Sequence, residues 1–155
     1  MIIARSTFAG SGKYTSKWTG DNLSIYYYMG YSIPDIINFN IYGIPLVGAD
    51  ICGFAGPAEA ELCARWHVVG SFYPFSRNHN VIDYPSQEPY IDRFNTTYEG
   101  NITYSDIMKM AIHNKYSLAR YMYGLILDTQ VYGGTILRPL FFEFTEDKGA
   151  ERAET

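Results

Sequence analysis

The sequence predicts an α/β fold in which short strands alternate with helices around a parallel sheet. Three observations predict it. The run IPLVGAD (44–50) is apolar almost throughout, as a strand covered on both faces must be. Apolar residues recur at helical spacing over residues 57–70 and again from about 105 to 131. Gly and Pro punctuate the junctions between these patterns, at Gly43, Pro57, Gly70 and Gly133-Gly134.

The elements follow in order. IIARSTF (2–8) is apolar and β-branched and predicts a first strand, followed by GSGKYTSKWTGDN (10–22), a Gly/Ser/Thr-rich loop. From Leu23 a Tyr-rich helix or loop leads to Ser32-Ile33-Pro34-Asp35. There Ser32 is expected as N-cap, Pro34 suits the first turn, and Asp35 complements the positive helix end. Ile33, Ile36, Ile37 and Ile41 carry that helix to Gly43. After the strand over 44–50, Cys52 to Gly56 form a loop and Pro57 opens a second helix. Glu59 and Glu61 lie in its first turns, and Leu62, Trp66 and Val69 form its apolar stripe. SFYPF (71–75) predicts a third strand, SRNHN (76–80) the loop after it, and 81–104 a long polar excursion. The longest helix places Ile107, Met110, Ala111, Leu118, Met122, Leu125 and Ile126 on one face, a stripe expected to be core. TILRPLFFEF (135–144) predicts a last strand with Pro139 at an edge or bulge, and the charged tail EDKGAERAET is expected to fray. No internal repeat is visible.

The chain has 155 residues, enough for one domain but short of the roughly 250 of a complete (β/α)₈ barrel. A net charge of −4, a pI near 5.3 and singly scattered Lys and Arg argue against a nucleic-acid binder. No apolar run is long enough to span a bilayer, and MIIARSTF lacks the apolar core of a signal peptide. The expectation is an intracellular protein, or a Met that is not the start of the mature protein. Fifteen Tyr, nine Phe and two Trp suit a site that stacks on sugar rings, although core packing accounts for most of them. Asn22-Leu23-Ser24, Asn95-Thr96-Thr97 and Asn101-Ile102-Thr103 match the N-glycosylation pattern. By spacing alone, Cys52 and Cys63 are compatible with a disulfide, two buried thiols or half a metal site. The metal site is the least favoured of these, since His67 is the only nearby His and no third ligand is obvious.

In folds of this kind the reacting groups sit in loops at the C-terminal ends of the strands. Three such loops each carry polar groups beside an aromatic or basic companion: Trp18 and Asp21, Asp50 and Phe54, Arg77 and His79. Arg5, inside the first strand, would need a carboxylate partner if buried. Singly, each has an ordinary structural role, as turn former, cap or hydrogen-bonded residue. Together they suit a polyhydroxylated substrate, with carboxylates accepting from hydroxyls, Arg and His donating, and rings covering apolar sugar faces.

RSTFAGSGKYTSKWTGDN, FNIYGIPLVGADICGF, ELCARWHVVGSFYPFSRNHN, QEPY and LRPLFFEF resemble, in order and spacing, the α-glucosidases of glycoside hydrolase family 31. The resemblance covers residues 3–90 closely and 104–146 more loosely. It implies a partial (β/α)₈ TIM barrel, about strands 6–8 with their helices, over residues 1–132. Residues 133–155 would begin the β-sandwich that follows. It also implies retaining hydrolysis of terminal α-linked glucose, with no metal or organic cofactor. An oligosaccharide is then the substrate, and the compartment is secreted, lysosomal or the ER lumen. Asp21 would be the general acid/base. Arg5, Trp18, Asp50, Phe54 and His79 would line the sugar subsite, and Cys52 and Cys63 would pair as a disulfide pinning the Asp50–Phe54 loop.

Retaining glycosidases use two carboxyl groups about 5–5.5 Å apart, one as nucleophile and one as proton donor. The donor is expected to keep its proton through burial and a neighbouring negative charge. The family nucleophile lies in a WIDMNE-type strand, which does not occur in these residues; Asp50 matches a substrate contact instead. The chain departs from the family pattern at Ser16-Lys17, where Gly-His is usual, at Lys13 for Arg, and at Arg120 for Pro; the segment 91–104 also looks longer than usual. Two expectations follow: an inactive piece of a glucosidase that needs the rest of a barrel or oligomerisation, or a non-catalytic remnant or binding module for a sugar or partner.

Overall fold

A computed structural model describes residues 1–152; the end of the charged tail, 153–155, lies outside the described residues. The β-branched start of the chain yields a strand of two residues, β1 (Ile3–Ala4). The Gly-rich stretch after it is less loop-like than its composition predicts. Past a left-handed Gly10 and one 3₁₀ turn, Ser16–Trp18 form β2, the middle strand of a parallel sheet. It pairs with β1 on one side and β3 (Val47–Gly48) on the other, through Lys17↔Val47 and Trp18↔Gly48. Thr15 and Trp18 have the branched or aromatic character of a strand, which the surrounding Gly and Ser mask.

The apolar run 44–50 is strand-like as expected and divides into β3 and β4 (Asp50–Ile51), with Val47, Ala49 and Ile51 buried. β4 pairs in parallel with β5 (Arg77–Asn78). The predicted strand over 71–75 is absent. Ser71, Phe72 and Tyr73 continue the end of the preceding helix as turns, their amides reaching His67, Val69 and Gly70 carbonyls. The strand forms after Phe75, whose amide meets the Val47 carbonyl at 3.1 Å. Tyr73 instead turns its ring into the core, where Trp66 Nε1 donates to its hydroxyl at 3.1 Å; burial pushes that phenol up to about 12.

The first helix also differs from prediction. α1 spans Tyr26–Ile41, so Ser32 is not its cap but a buried interior residue whose Oγ donates to the Met29 carbonyl and bonds the Tyr73 hydroxyl. Pro34 sits mid-helix opposite Gly30, four residues earlier, the position whose carbonyl meets the proline ring. No side chain caps the start of α1; a parallel bridge between Leu23 and Ala55 sets the entry of the chain instead. α2 (Ala60–Gly70) starts three residues after the predicted Pro57, with Glu59 as its N-cap; of its predicted stripe Leu62 and Trp66 are buried and Val69 is half-buried.

Residues 81–104 form the expected excursion, with Phe94 buried in the core and a small antiparallel hairpin of β6 (Thr97–Glu99) and β7 (Ile102–Thr103). Thr103 then starts α3 (Tyr104–Tyr132) with a capping box: its Oγ1 accepts from the Asp106 amide while Asp106 accepts from the Thr103 amide. The first turns of α3 pack on α2, but through Met108 and Ala111 rather than the predicted Met110, which is exposed. The predicted strand over 135–144 is also absent. The amides of Ile136 and Leu137 donate to Asn40 Oδ1, Pro139 has none to give, and a single turn, α4 (Leu140–Glu143), follows. Among the described residues no helix is long and apolar enough to cross a membrane.

Candidate active site

The strand ends bring most of the expected residues to one rim. Asp50 and Arg77 are register partners on β4 and β5, so their side chains leave the sheet side by side. Arg77 Nη2 donates to Asp50 Oδ1 at 2.7 Å, with Asp50 buried and Arg77 one-third exposed. Burial raises the Asp50 carboxyl above its ordinary range; Arg77 and then His79 oppose that, and the charge of Asp21 adds to it. Asp50 Oδ2 and Arg77 Nε are buried without a hydrogen-bond partner. Two unused valences at one ion pair are costly unless something else satisfies them.

Asp21 lies just beyond β2 and pairs with Arg5, which follows β1, at 3.1 Å. Both side chains are about half exposed, 45% and 59%, so the burial expected around Asp21 is not present in this chain. Gly20 makes the approach feasible: it has φ +90°, and a Cβ there would stand 2.8 Å from Arg5 Nε. Lys17, next to Trp18, points into the fold. Its Nζ donates to the Arg5 carbonyl and lies 4.5 Å from the centre of the Phe39 ring. Burial, and then the charge of Arg5, lower its pKa.

Aromatic walls complete the rim. The Arg77 guanidinium sits 5.4 Å from the centre of the Trp18 ring, linking the Asp50 and Trp18 strands. Phe54 and His79 stack with ring centroids 5.1 Å apart. Backbone bonds fasten the loops to one another: the Asn22 carbonyl accepts from Phe54 N at 2.7 Å and from Ala55 N at 3.0 Å. Asn22 itself is buried, its side chain donating to Thr19 Oγ1. Gly53, at φ +87°, lets the Phe54 loop touch Ser24, where a Cβ would come within 2.5 Å of its Cα.

Cys52 and Cys63 are disulfide-bonded, tying the Asp50–Phe54 loop to α2. Cys52 holds a left-handed φ of 76°, unusual for a residue with a side chain. His67, one turn along α2 from Cys63, lies against both sulfurs and donates from Nδ1 to the Cys63 carbonyl at 2.8 Å. Burial lowers its pKa.

Two contributors are not evident from sequence reasoning. Arg77 is placed in the right loop as a donor, but its pairing with Asp50 needs the β4–β5 register. Gln87 is fully buried in the 81–104 excursion, its amide nitrogen 3.0 Å from the Gly53 carbonyl and 3.2 Å from those of Ile51 and His79. It thereby joins the Phe54 loop to the His79 loop. The only sequence signal is its place in the QEPY string.

A model of the TIM-barrel domain of glycosyl hydrolases family 31 matches residues 1–125. The chain belongs to that family. The lysosomal alpha-glucosidase of Mus musculus is 49% identical over 147 residues, which are 95% of this chain and 15% of that protein. The intestinal sucrase-isomaltase of Homo sapiens is 42% identical, over 95% of this chain and 8% of the relative. Among solved structures, a glucosidase II alpha subunit with Glc1Man2 bound superposes with a TM-score of 0.88 at 33% identity, covering 98% of this chain and 16% of that one. A family 31 alpha-glucosidase from Bacteroides thetaiotaomicron gives 0.88 at 32%, covering 99% and 25%. The chain thus spans about 15% of the length of the curated lysosomal relatives it matches.

Membership in family 31 makes residues 1–125 part of a TIM-barrel domain, here with short parallel strands among helices. The rim at the strand ends is then the face on which barrel enzymes carry their chemistry. Solved family structures also include a glucosidase II complex of the catalytic subunit with the binding domain of its regulatory subunit.

Proposed function

We propose that this chain is the acid/base-bearing part of a retaining α-glucosidase that removes terminal α-linked glucose from oligosaccharides. The observation that carries the proposal is the convergence of two carboxylate–arginine pairs, Asp21–Arg5 and Asp50–Arg77, on one strand-end rim walled by Trp18 and by the Phe54–His79 stack.

Asp21 is the proton donor: it protonates the glycosidic oxygen, then takes a proton from the attacking water. Arg5 holds the Asp21 carboxylate in place and donates to the sugar in the same subsite. Asp50 accepts from a sugar hydroxyl through Oδ2, whose lone pairs are otherwise unused. His79 donates to the sugar, and Trp18 and Phe54 cover its apolar faces. The second carboxylate, the nucleophile, comes from a part of the barrel outside these residues. On this reading residues 1–132 belong to the barrel and 133–155 begin a β-sandwich.

The test replaces the matched span of the mouse lysosomal enzyme with this chain and measures hydrolysis of an aryl α-glucoside. The hybrid should turn over, and Asp21→Asn should slow it by roughly 10²–10⁴-fold. Azide should partly rescue that variant and give the glucosyl azide of retained α configuration, since azide takes the place of the water. An Asp21→Asn hybrid as active as its parent refutes the assignment. The chain alone should show no turnover.

A second reading, a sugar- or partner-binding piece without catalysis, is favoured by the half-exposed Asp21–Arg5 pair. An inactive hybrid that still binds 1-deoxynojirimycin would support it.

A further inference from the structure

The fold treats the three N-glycosylation patterns of the chain differently. Asn22 is buried, its side-chain nitrogen donating to Thr19 Oγ1 at 2.8 Å while its carbonyl carries the Phe54 loop. A sugar bonded to that nitrogen would displace the loop. Asn95 is exposed, but it follows the buried Phe94, and its side-chain nitrogen reaches Asp92 Oδ1 at 3.4 Å. Asn101 is exposed in the turn between β6 and β7, where Glu99 pairs with Ile102. Gly100 beside it has φ +57°, and a Cβ there would meet nothing within 4 Å. The turn opens onto free space.

We infer that Asn101 carries an N-linked oligosaccharide. The hairpin exposes what such a glycan covers. Its sheet has two strands among the described residues, so both outer edges are open, and Tyr98 and Ile102 are about half exposed on it. Open edges flanked by apolar side chains invite pairing with other chains, and a bulky, solubilising group opposes it. The Cys52–Cys63 bond suits an oxidising compartment, the ER lumen among them, where N-glycans are also attached.

The donor is a polyprenyl-diphosphate oligosaccharide. Asn101 Nδ2 bonds to C1 of its first sugar as the bond from C1 to the diphosphate oxygen breaks. The polyprenyl diphosphate leaves with that electron pair, the amide nitrogen gives up one proton, and nothing is oxidised or reduced. The acceptor pattern also needs the Thr103 hydroxyl, which in the folded chain donates to Asp106 Oδ2 at 2.8 Å beside the α3 cap. Transfer therefore precedes closure of that cap, and the open turn lets the chain fold with the sugar in place.

Glycopeptide mapping tests the site. The full 155-residue chain is produced in cultured eukaryotic cells behind a cleavable secretion leader, with a control acceptor pattern in the linker. Chains glycosylated at the control are treated with peptide N-glycosidase in ¹⁸O water, which labels every asparagine that carried a glycan. The label is expected at position 101. Asn101→Gln should lose that glycan and Asn22→Gln should keep it. Thr103→Ser retains both the acceptor hydroxyl and the helix cap and should keep the glycan, whereas Thr103→Val should lose it. Position 101 unlabelled in chains that carry the control glycan overturns the inference, as does a Thr103→Val chain still modified there. The label is read on total cellular and secreted chain, so the result depends neither on folding nor on the catalytic role proposed for Asp21.

Discussion

The strand-end rim and the C-terminal stretch from the middle of α3 to α4 are built on opposite plans. Around the rim, the functional groups rest on a layer of buried contacts: Gln87 to three carbonyls, Asn22 to the Phe54 loop, and the Cys52–Cys63 disulfide. Along the C-terminal stretch the large side chains have few such supports. Tyr116, Tyr121, Tyr123 and Tyr132 are exposed, as are Leu140, Phe141, Phe142 and Phe144. Asn40 anchors it through the amides of Ile136 and Leu137, with Ile136 buried and Leu137 packed against the core. The rim is thus largely specified within these residues, whereas the apolar faces of the C-terminal stretch have no cover there. An apolar surface of that extent is normally covered by other protein.

Substitutions break or sharpen this contrast, the largest first. Trp66→Ala, beneath the rim, should cost about 3–5 kcal/mol by urea denaturation, because it empties a fully buried site and removes the donor to Tyr73. Gln87→Met keeps the bulk but strips three carbonyls, two of them buried, of this donor, and should cost about 1–3 kcal/mol. A near-neutral result would mean that the two loops hold together without Gln87.

Asp50→Asn is read through pH. Burial gives the folded carboxyl a pKa above its unfolded value of about 3.9, so the folded state is the one that keeps the proton longer. Parent stability should therefore fall as pH rises from the unfolded value through the raised folded one. The Asn variant lacks that fall and should gain on the parent across the window, measured as melting temperature against pH. A variant that instead loses ground shows that the Arg77 pair outweighs burial. Tyr121→Ser, on the exposed stretch, should change stability by no more than about 0.5 kcal/mol. A large loss there would mean that the C-terminal stretch is supported after all.

Legibility in the sequence follows the same contrast. α2 is written in its own periodicity, and 44–50 in its continuous apolarity, because local pattern and burial agree there; α3 is legible as a helix, although Met108 and Ala111 alone of its described residues are buried. α1 begins six residues before the expected Ser32 cap; what sets its entry is the Leu23–Ala55 bridge, a contact no local pattern records. SFYPF has strand composition, yet Tyr73 finds Trp66 and Ser32 by staying in a turn. TILRPLFFEF has it too, but a strand needs a neighbour and its first amides go to Asn40. At the site, Arg5, Asp21, Asp50 and His79 stand in or beside the strand-end loops where polar residues among Gly and aromatics drew attention. The Arg77 and Gln87 contacts were hidden because each depends on which strands and loops become neighbours.

The forked hydrogen bond at the Asn22 carbonyl has a consequence for anyone who would re-engineer this rim. Phe54 N and Ala55 N both hang on that one oxygen, and it belongs to the residue after Asp21. The proposed proton donor and the aromatic wall therefore travel as a single cassette. Exchanging residues 52–56 for those of a relative, without residues 19–24 alongside, would shift the carboxylate even though no atom of Asp21 had been replaced.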